Sequence, residues 1–282
     1  MTTKTSLRYD PNATFEVDAS DVEYRSEGGQ TWLARVFRPR GAGPFPTVLD
    51  VHGGAWANGD RLMNETTDVA MAESGLVVVA IEFRTSIAAP HPAAQEDINY
   101  ATRWLKAHAS EFGGSAESLG GVGWSSGGHQ VMLAAMKPHE FATLPLGAAP
   151  DLDASLAYVI TGWPVIDPLA RYRLAESRDN KELMANHIAY FGSEAGMEAA
   201  SPPHMLARGE AVETPPALLL QGALDESLTR MMAEDFVEAY SLAGGVIELA
   251  KYPGEPHGFL RTPSPNSDRA LALIKSFIAR QL

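Results

Sequence analysis

Gly123-Trp124-Ser125-Ser126-Gly127-Gly128 is the stretch whose reading decides the rest of this chain. It follows the apolar run Leu119 to Val122 and opens onto His129 to Met136, a helix-compatible run. A strand that turns sharply into a helix leaves little room at the bend, so small residues are needed two before and two after the apex. The pattern G-x-S-x-G puts Ser125 at that apex, flanked by Gly123 and Gly127. Ser126 at the apex would instead place Trp124 in the tight position. Ser125 is therefore the candidate nucleophile. Alone the motif is weak, since glycine and serine collect in ordinary turns. Its standing depends on whether the chain also supplies a parallel sheet, oxyanion donors, an acid and a base.

Runs of strand and helix alternate along most of the 282 residues. Asp21 to Arg25 and Thr31 to Pro39 read as two strands about the turn Glu27-Gly28-Gly29. Thr47 to Val51, Leu76 to Phe83, Leu156 to Pro164, Ala217 to Gln221 and Val246 to Tyr252 read as further strands. Leu76 to Phe83 is nearly all apolar and rich in valine, which suits a strand buried on both faces of a parallel sheet. Asn64 to Glu73, Pro92 to Ala109 and Ser267 to Leu282 have helical patterning, the last with its cap at Asn266 or Ser267. Such alternation predicts a mostly parallel sheet covered by helices on both faces, in one domain over residues 1–282. Residues 168–213 interrupt it with a polar, turn-rich stretch, read as a cap inserted over the carboxyl edge of the sheet.

Composition excludes several classes. A net charge of −13 and a pI near 5.0 repel a phosphate backbone, so nucleic acid is not an expected partner. The chain has no cysteine, which removes disulfides, thiolate ligands and thiol catalysis. No His/Asp cluster has metal-ligand spacing and no G-x-G-x-x-G follows a strand, so no metal or cofactor is expected. Met1 to Glu16 carries no apolar signal segment and no run is long enough to span a bilayer, which leads to the expectation of a cytoplasmic protein without membrane contact. Association with further copies of itself stays open.

Reacting groups in open parallel sheets sit at the carboxyl ends of strands. His52-Gly53-Gly54 ends the third strand, where two glycines let backbone N–H groups approach a bound carbonyl. Gly53, Gly54 and the N–H of Ser126 are the candidate oxyanion donors, against the competing reading of a plain Gly-Gly turn. Asp225 follows the strand Ala217 to Leu220 and is the candidate acid, with Glu226 as its reserve. The competing reading is a carboxylate at a helix N-terminus. His257 lies in the loop Tyr252-Pro253-Gly254-Glu255-Pro256-His257 and is the candidate base. The order Ser, Asp, His differs from that of other serine-hydrolase folds and matches one.

These pieces together resemble the esterase branch of the α/β-hydrolases that carries an HGG oxyanion motif, the hormone-sensitive-lipase-like and acetyl-esterase-like enzymes. The likeness rests on His52 to Trp56 with Gly59-Asp60, the Val77 to Arg84 strand, Pro92 to Trp104 with Asp97, and the elbow Gly123 to Gly128. It continues through Ser201-Pro202, Gln221-Gly222-x-x-Asp225 and Pro256-His257-Gly258-Phe259, and covers most of the chain from about Val22. It implies an eight-stranded α/β-hydrolase fold and hydrolysis of a small-molecule carboxylic ester through an acyl-enzyme, with no cofactor. Two departures stand out: Trp124 and Ser126 occupy elbow positions where Asp or His and Ala are more familiar, and the run after the fourth strand reads Phe83-Arg84-Thr85-Ser86-Ile87-Ala88-Ala89-Pro90. Both suggest an unusual substrate pocket, with Trp56, Trp124 and Trp163 as its walls. For Trp163, core packing is an equal reading. HGG with a Trp two residues on also occurs in arylformamidases, so amide cleavage by the same groups is the alternative activity. A catalytically silent small-molecule receptor is the alternative from another class.

Overall fold

The computed structural model describes residues 7, 9–147 and 151–282. Strands β1 (Val17–Glu27) and β2 (Gln30–Pro39) form an antiparallel hairpin. Its two-residue turn, Gly28-Gly29, takes φ of +58° and +82°. A turn matching strand twist needs positive φ at both positions, which glycine supplies without strain. β3 (Phe45–Val51) and, after helix α1 (Glu65–Ala72), β4 (Val77–Ile81) are buried at every residue. Helix α2 (Ala93–His108) leads to β5 (Gly114–Trp124), and α3 (Ser126–Met136) follows β5 after the single residue Ser125. β6 (Val159–Gly162) then precedes four helices: α4 (Pro168–Ser177), α5 (Lys181–Phe191), α6 (Glu194–Ala199) and α7 (Pro202–Ala207). The chain ends with β7 (Ala217–Gly222), α8 (Met232–Leu242), β8 (Ile247–Tyr252) and α9 (Pro265–Gln281).

The eight strands lie in the order β1-β2-β4-β3-β5-β6-β7-β8, antiparallel up to the β2–β4 pair and parallel from β4 onward. This is the α/β-hydrolase architecture. From β3 the chain steps outward to β4 and then back across to β5. That reversal opens a crevice at the carboxyl ends of β3 and β5, where parallel sheets place their ligands. Val51 pairs with Gly123 there, so the segments after the two strands start side by side.

Two details differ from the sequence reading. The stretch after Pro168 is helical, not turn-rich: Asp167, Asn180 and Ser193 each accept a hydrogen bond from the backbone N–H three residues on, and Pro168 and Pro202 occupy first helical turns. These helices run six to eleven residues and carry little amphipathic pattern, so the capping residues were the readable signal. α9 begins earlier than expected, because Ser264 and Ser267 form a reciprocal capping box ahead of Pro265, while Asn266 turns its amide to Glu255. No helix among the described residues is long and apolar enough to cross a membrane.

Behind β3 the core contains two carboxyl groups. Asp50 on β3 accepts from Asn64 Nδ2 at 2.9 Å and from Trp124 Nε1 at 2.7 Å. Asp68 on α1 is fully enclosed and neither of its oxygens has a hydrogen-bond partner among the described residues. Burial disfavours the ionised forms. It pushes Asp50 up to about 7, and it raises Asp68 well above the usual carboxylate range, with the Asp50 and Glu65 charges adding to the effect.

A carboxyl kept protonated in the fold favours folding fully below its unfolded pKa of about 4 and loses that advantage as pH rises through the folded value. Asp68→Asn is therefore expected to be more stable than wild type at pH 8 in urea titrations, with the difference shrinking toward pH 4. An equal difference at pH 5 and pH 8 would contradict the enclosed acid pair. Ser264→Ala removes the α9 cap and should lower the unfolding free energy by about 1 kcal/mol, read from the urea midpoint at unchanged slope.

Candidate active site

Ser125 sits between β5 and α3 at φ +56°, ψ −119°, a conformation that L-residues rarely adopt. The surroundings hold it there. Its N–H donates to the Gly162 carbonyl at 2.9 Å, and its carbonyl accepts from the Val165 N–H at 3.0 Å. The flanking glycines are required by space: a Cβ on Gly123 would meet the Gly127 carbonyl oxygen at 2.4 Å. One on Gly127 would meet the carbonyl oxygens of Val51 and His52 at 2.2 and 2.3 Å. The G-x-S-x-G spacing is thus the footprint of α3 pressed onto the end of β3. Strain of this kind persists only where the surroundings over-determine it, and it clusters at reactive sites.

Three elements distant in sequence meet at Ser125. Its Oγ is 2.9 Å from His257 Nε2, and His257 Nδ1 is 2.8 Å from Asp225 Oδ2. His257 stands in the loop after β8, turned by Gly258 at φ +79°. Asp225 follows β7, and its carboxylate, 1% exposed, also accepts from Gln221 Nε2 at 2.9 Å and from the Ser227 N–H at 2.8 Å. With Asp225 taking the Nδ1 proton, Nε2 is left as the acceptor facing the Ser125 hydroxyl. Glu226 is exposed; its backbone carbonyl accepts from the Arg178 guanidinium and its carboxylate takes no part in the relay.

The His52-Gly53-Gly54 turn lies against this relay. A Cβ on Gly53 would stand 3.3 Å from the Ser125 Cβ and 2.7 Å from the Trp124 carbonyl oxygen. Gly54, at φ +110°, folds so that its carbonyl accepts from the Ala57 and Asn58 N–H groups at 3.1 and 2.9 Å. His52 is buried, stacked on Phe83 at 4.2 Å, and its Nδ1 contacts the Gly53 carbonyl at 2.7 Å. Burial lowers its pKa to about 4, so the ring is neutral at pH 7 and donates that bond. In a trans peptide the C=O and the next N–H point opposite ways. Pinning the Gly53 carbonyl therefore fixes the Gly54 N–H as well. The N–H groups of Gly53, Gly54 and Ser126 have no acceptor among the described residues. An arrangement of this kind can deprotonate a hydroxyl, present it to a carbonyl carbon and offer hydrogen bonds to the oxygen that becomes negative.

The second serine has a further duty: Ser126 Oγ accepts the Trp56 N–H at 3.2 Å. Trp56, Trp124 and Trp163, expected as pocket walls, are each 1% exposed. Trp124 turns beneath the elbow to Asp50, its ring 5.2 Å from that of Trp163. Trp163 backs His257 at 6.1 Å and Phe259 at 5.3 Å. Trp56 stacks on Tyr190 of α5 at 5.6 Å and meets His187 and Phe191 edge-on. Internal contacts account for the unfamiliar elbow residues, Trp124 through Asp50 and Ser126 through Trp56. His129, unassigned from sequence, joins the two layers: Nδ1 accepts from Trp56 Nε1 at 3.4 Å and Nε2 donates to the Ala200 carbonyl at 2.9 Å. Burial holds it neutral, with its pKa lowered to about 3. A cavity of about 750 Å³ runs beside the acid loop, lined among others by Leu174, Arg178, Gln221, Asp225, Thr229 and Arg230.

Known proteins share this fold. Esterase 2 of Thermogutta terrifontis, in a propionate-bound structure, superposes with a TM-score of 0.74 over 93% of this chain and 94% of its own, at 21% identity. An esterase from Pyrobaculum calidifontis gives 0.76 over 95% and 84%, at 22% identity. Among curated relatives, the esterase LipQ of Mycobacterium tuberculosis is 24% identical over 95% of this chain and 63% of its own length. Versiconal hemiacetal acetate esterase of Dothistroma septosporum is 26% identical over 82% and 71%. The chain spans 63%, 60% and 53% of the mycobacterial relatives LipQ, LipM and LipC, so these have substantial sequence beyond the shared part. The model of the BD-FAE family matches residues 36–240, a span holding the glycine turn, the elbow and the acid, and on that match this α/β-hydrolase chain belongs to the BD-FAE family.

Proposed function

We propose that the protein is a serine carboxylesterase that cleaves a small carboxylic ester through an acyl-enzyme. The observation that carries this reading is the unbroken relay from Ser125 Oγ through His257 to Asp225, at 2.9 and 2.8 Å, beside a glycine turn with unused N–H groups. The names of the relatives, esterases and carboxylic ester hydrolases, support the same reaction class.

Ser125 attacks the ester carbonyl while His257 Nε2 takes its proton, and the imidazolium is stabilised by the buried Asp225 carboxylate. The oxyanion is met by the N–H of Ser126 and those of the glycine turn, each such donor being worth about 3 kcal/mol in the transition state. His257 returns the proton to the departing alcohol oxygen, leaving Ser125 acylated. Water, deprotonated by the same imidazole, attacks the acyl carbon, and collapse of the second tetrahedral intermediate releases the acid and restores the Ser125 hydroxyl. Helices α4 to α7 form the cap over this chemistry in our reading, with residues 168–213 as its extent. Trp56 links the cap to the glycine turn.

On p-nitrophenyl esters of increasing chain length, wild type should turn over, and Ser125→Ala should lose activity by a factor on the order of 10⁴ or more. Asp225→Asn is expected to reduce kcat by about 10² to 10⁴ with the fold intact, since the wrong imidazole tautomer is then favoured. Glu226→Gln should stay within about twofold of wild type. Turnover retained in Ser125→Ala sinks the nucleophile assignment. A matched aryl amide hydrolysed faster than its ester would move the protein to the amidases. Failure of wild type to react with a fluorophosphonate would leave a binding protein.

A further inference from the structure

The cap carries one charge that the fold leaves without a partner. Arg171, in the first turn of α4, is 5% exposed. Its Nε and Nη1 are enclosed with no hydrogen-bond partner, and no carboxylate lies within ion-pair reach of it among the described residues. Buried polar groups are nearly always hydrogen-bonded, and arginines are almost never enclosed unless paired. Scarcity of acids is no explanation, because the chain has 35 acidic against 22 basic residues. Its other enclosed arginines show the usual solution: Arg25 is paired with Asp97, and Arg103 donates to Asn99 and the Leu144 carbonyl. The Arg171 guanidinium instead lies 5.9 Å from the Trp56 ring. Burial lowers its pKa to about 10, against the pull of the Asp225 charge, so it stays cationic at pH 7.

The surroundings of this cation have the shape of a recognition site. A cavity of about 250 Å³ is bounded by Arg171, Arg178, Asn180 and Ser227 on its polar side and by Leu174 and Leu183 on its apolar side. Asn180 uses its side-chain oxygen to cap α5, which leaves its amide N–H₂ as a donor. Glu226 is also on the rim, exposed, with its carboxylate in no ion pair among the described residues. Ser227 on the cavity wall donates its N–H to Asp225 Oδ1 at 2.8 Å, which places the cavity beside the acid of the relay. A guanidinium fork matches the planar, bidentate geometry of a carboxylate. Asp225 and Glu226 close by favour a single negative charge over the double charge of a phosphate monoester.

We propose that Arg171 is the residue by which the site recognises a substrate carboxylate, so that the preferred ester is a monoanion bearing a free carboxylate on either its acyl or its alcohol side. This rests on the serine esterase reading. Arg171 acts in binding and not in bond breaking: the guanidinium holds the remote carboxylate while Ser125, His257 and Asp225 transfer the acyl group.

Two matched pairs of esters separate the sides. 4-Nitrophenyl hemiadipate against 4-nitrophenyl hexanoate places the charge on the acyl chain; 4-acetoxybenzoate against its methyl ester places it on the leaving group. Wild type, Arg171→Met and Arg171→Lys are compared on all four. In one arm the anionic preference in kcat/KM should fall by about 10- to 100-fold in Arg171→Met, mainly through KM, with Arg171→Lys in between. The neutral ester should stay within about threefold. In a second measurement, the melting temperature of Ser125→Ala protein should rise with millimolar adipate or benzoate, whichever matches that arm, and not when Arg171→Met is added. Equal loss on charged and neutral esters, or no change of preference in either arm, overturns the proposal. So does a melting shift that survives Arg171→Met. If instead wild type hydrolyses none of the four esters and Ser125 takes up no fluorophosphonate, the esterase reading itself has failed.

Discussion

The close approach of the carboxyl ends of β3 and β5 is the constraint from which the rest of this molecule follows. The backbone of α3 comes so near the end of β3 that Gly127 has no room for a methyl group beside the Val51 and His52 carbonyls. The same closeness brings Gly53 against Ser125 and forces the serine into its rare backbone conformation. Hydrogen bonds from β6 and the segment after it then lock that conformation, through Gly162 and Val165. Strain and donor placement are one geometric fact seen from two directions.

Much of this was legible from the residues, and the parts that were not share a cause. The elbow, the HGG turn, the acid and the base are local patterns at strand ends, and chain order alone arranges them. The structure brings Ser125, His257 and Asp225 within hydrogen-bond reach as those patterns require. The contacts of the tryptophans were not legible because they depend on partners far away in sequence. Trp124 meets Asp50 across 74 residues and Trp56 meets Ser126 across 70. A bulky residue beside a reactive serine reads as a pocket wall until its indole is found donating to a buried carboxyl group. Helices α4 to α7 were hidden for a different reason. They are short and weakly amphipathic, so only Asp167, Asn180 and Ser193 with their capping bonds betray them.

Two kinds of carboxyl group serve the same elbow. Asp225 is nearly enclosed yet accepts hydrogen bonds from His257, Gln221 and the Ser227 backbone, an environment that suits an anion. Asp50, one layer behind, lies within the core with only Asn64 and Trp124 as donors; burial pushes it up to about 7, and its charge in turn discourages ionisation of the unpartnered Asp68 nearby. The first group, in the proposed reaction, faces the charge that would form on the imidazole. The second is pushed toward its neutral form by burial, against the pull of its two donors, Asn64 and Trp124. Burial alone does not distinguish them; the number and kind of donors does.

Trp56 spans two layers at once, its N–H on the Ser126 hydroxyl and its ring against Tyr190 and Phe191 of α5. A displacement of α5 is therefore delivered to the backbone next to the reactive serine. Exchanging helices α4 to α7 for those of a relative would keep these contacts only if Trp56 and His129 travelled with them, which makes the pair the seam along which this fold can be recombined.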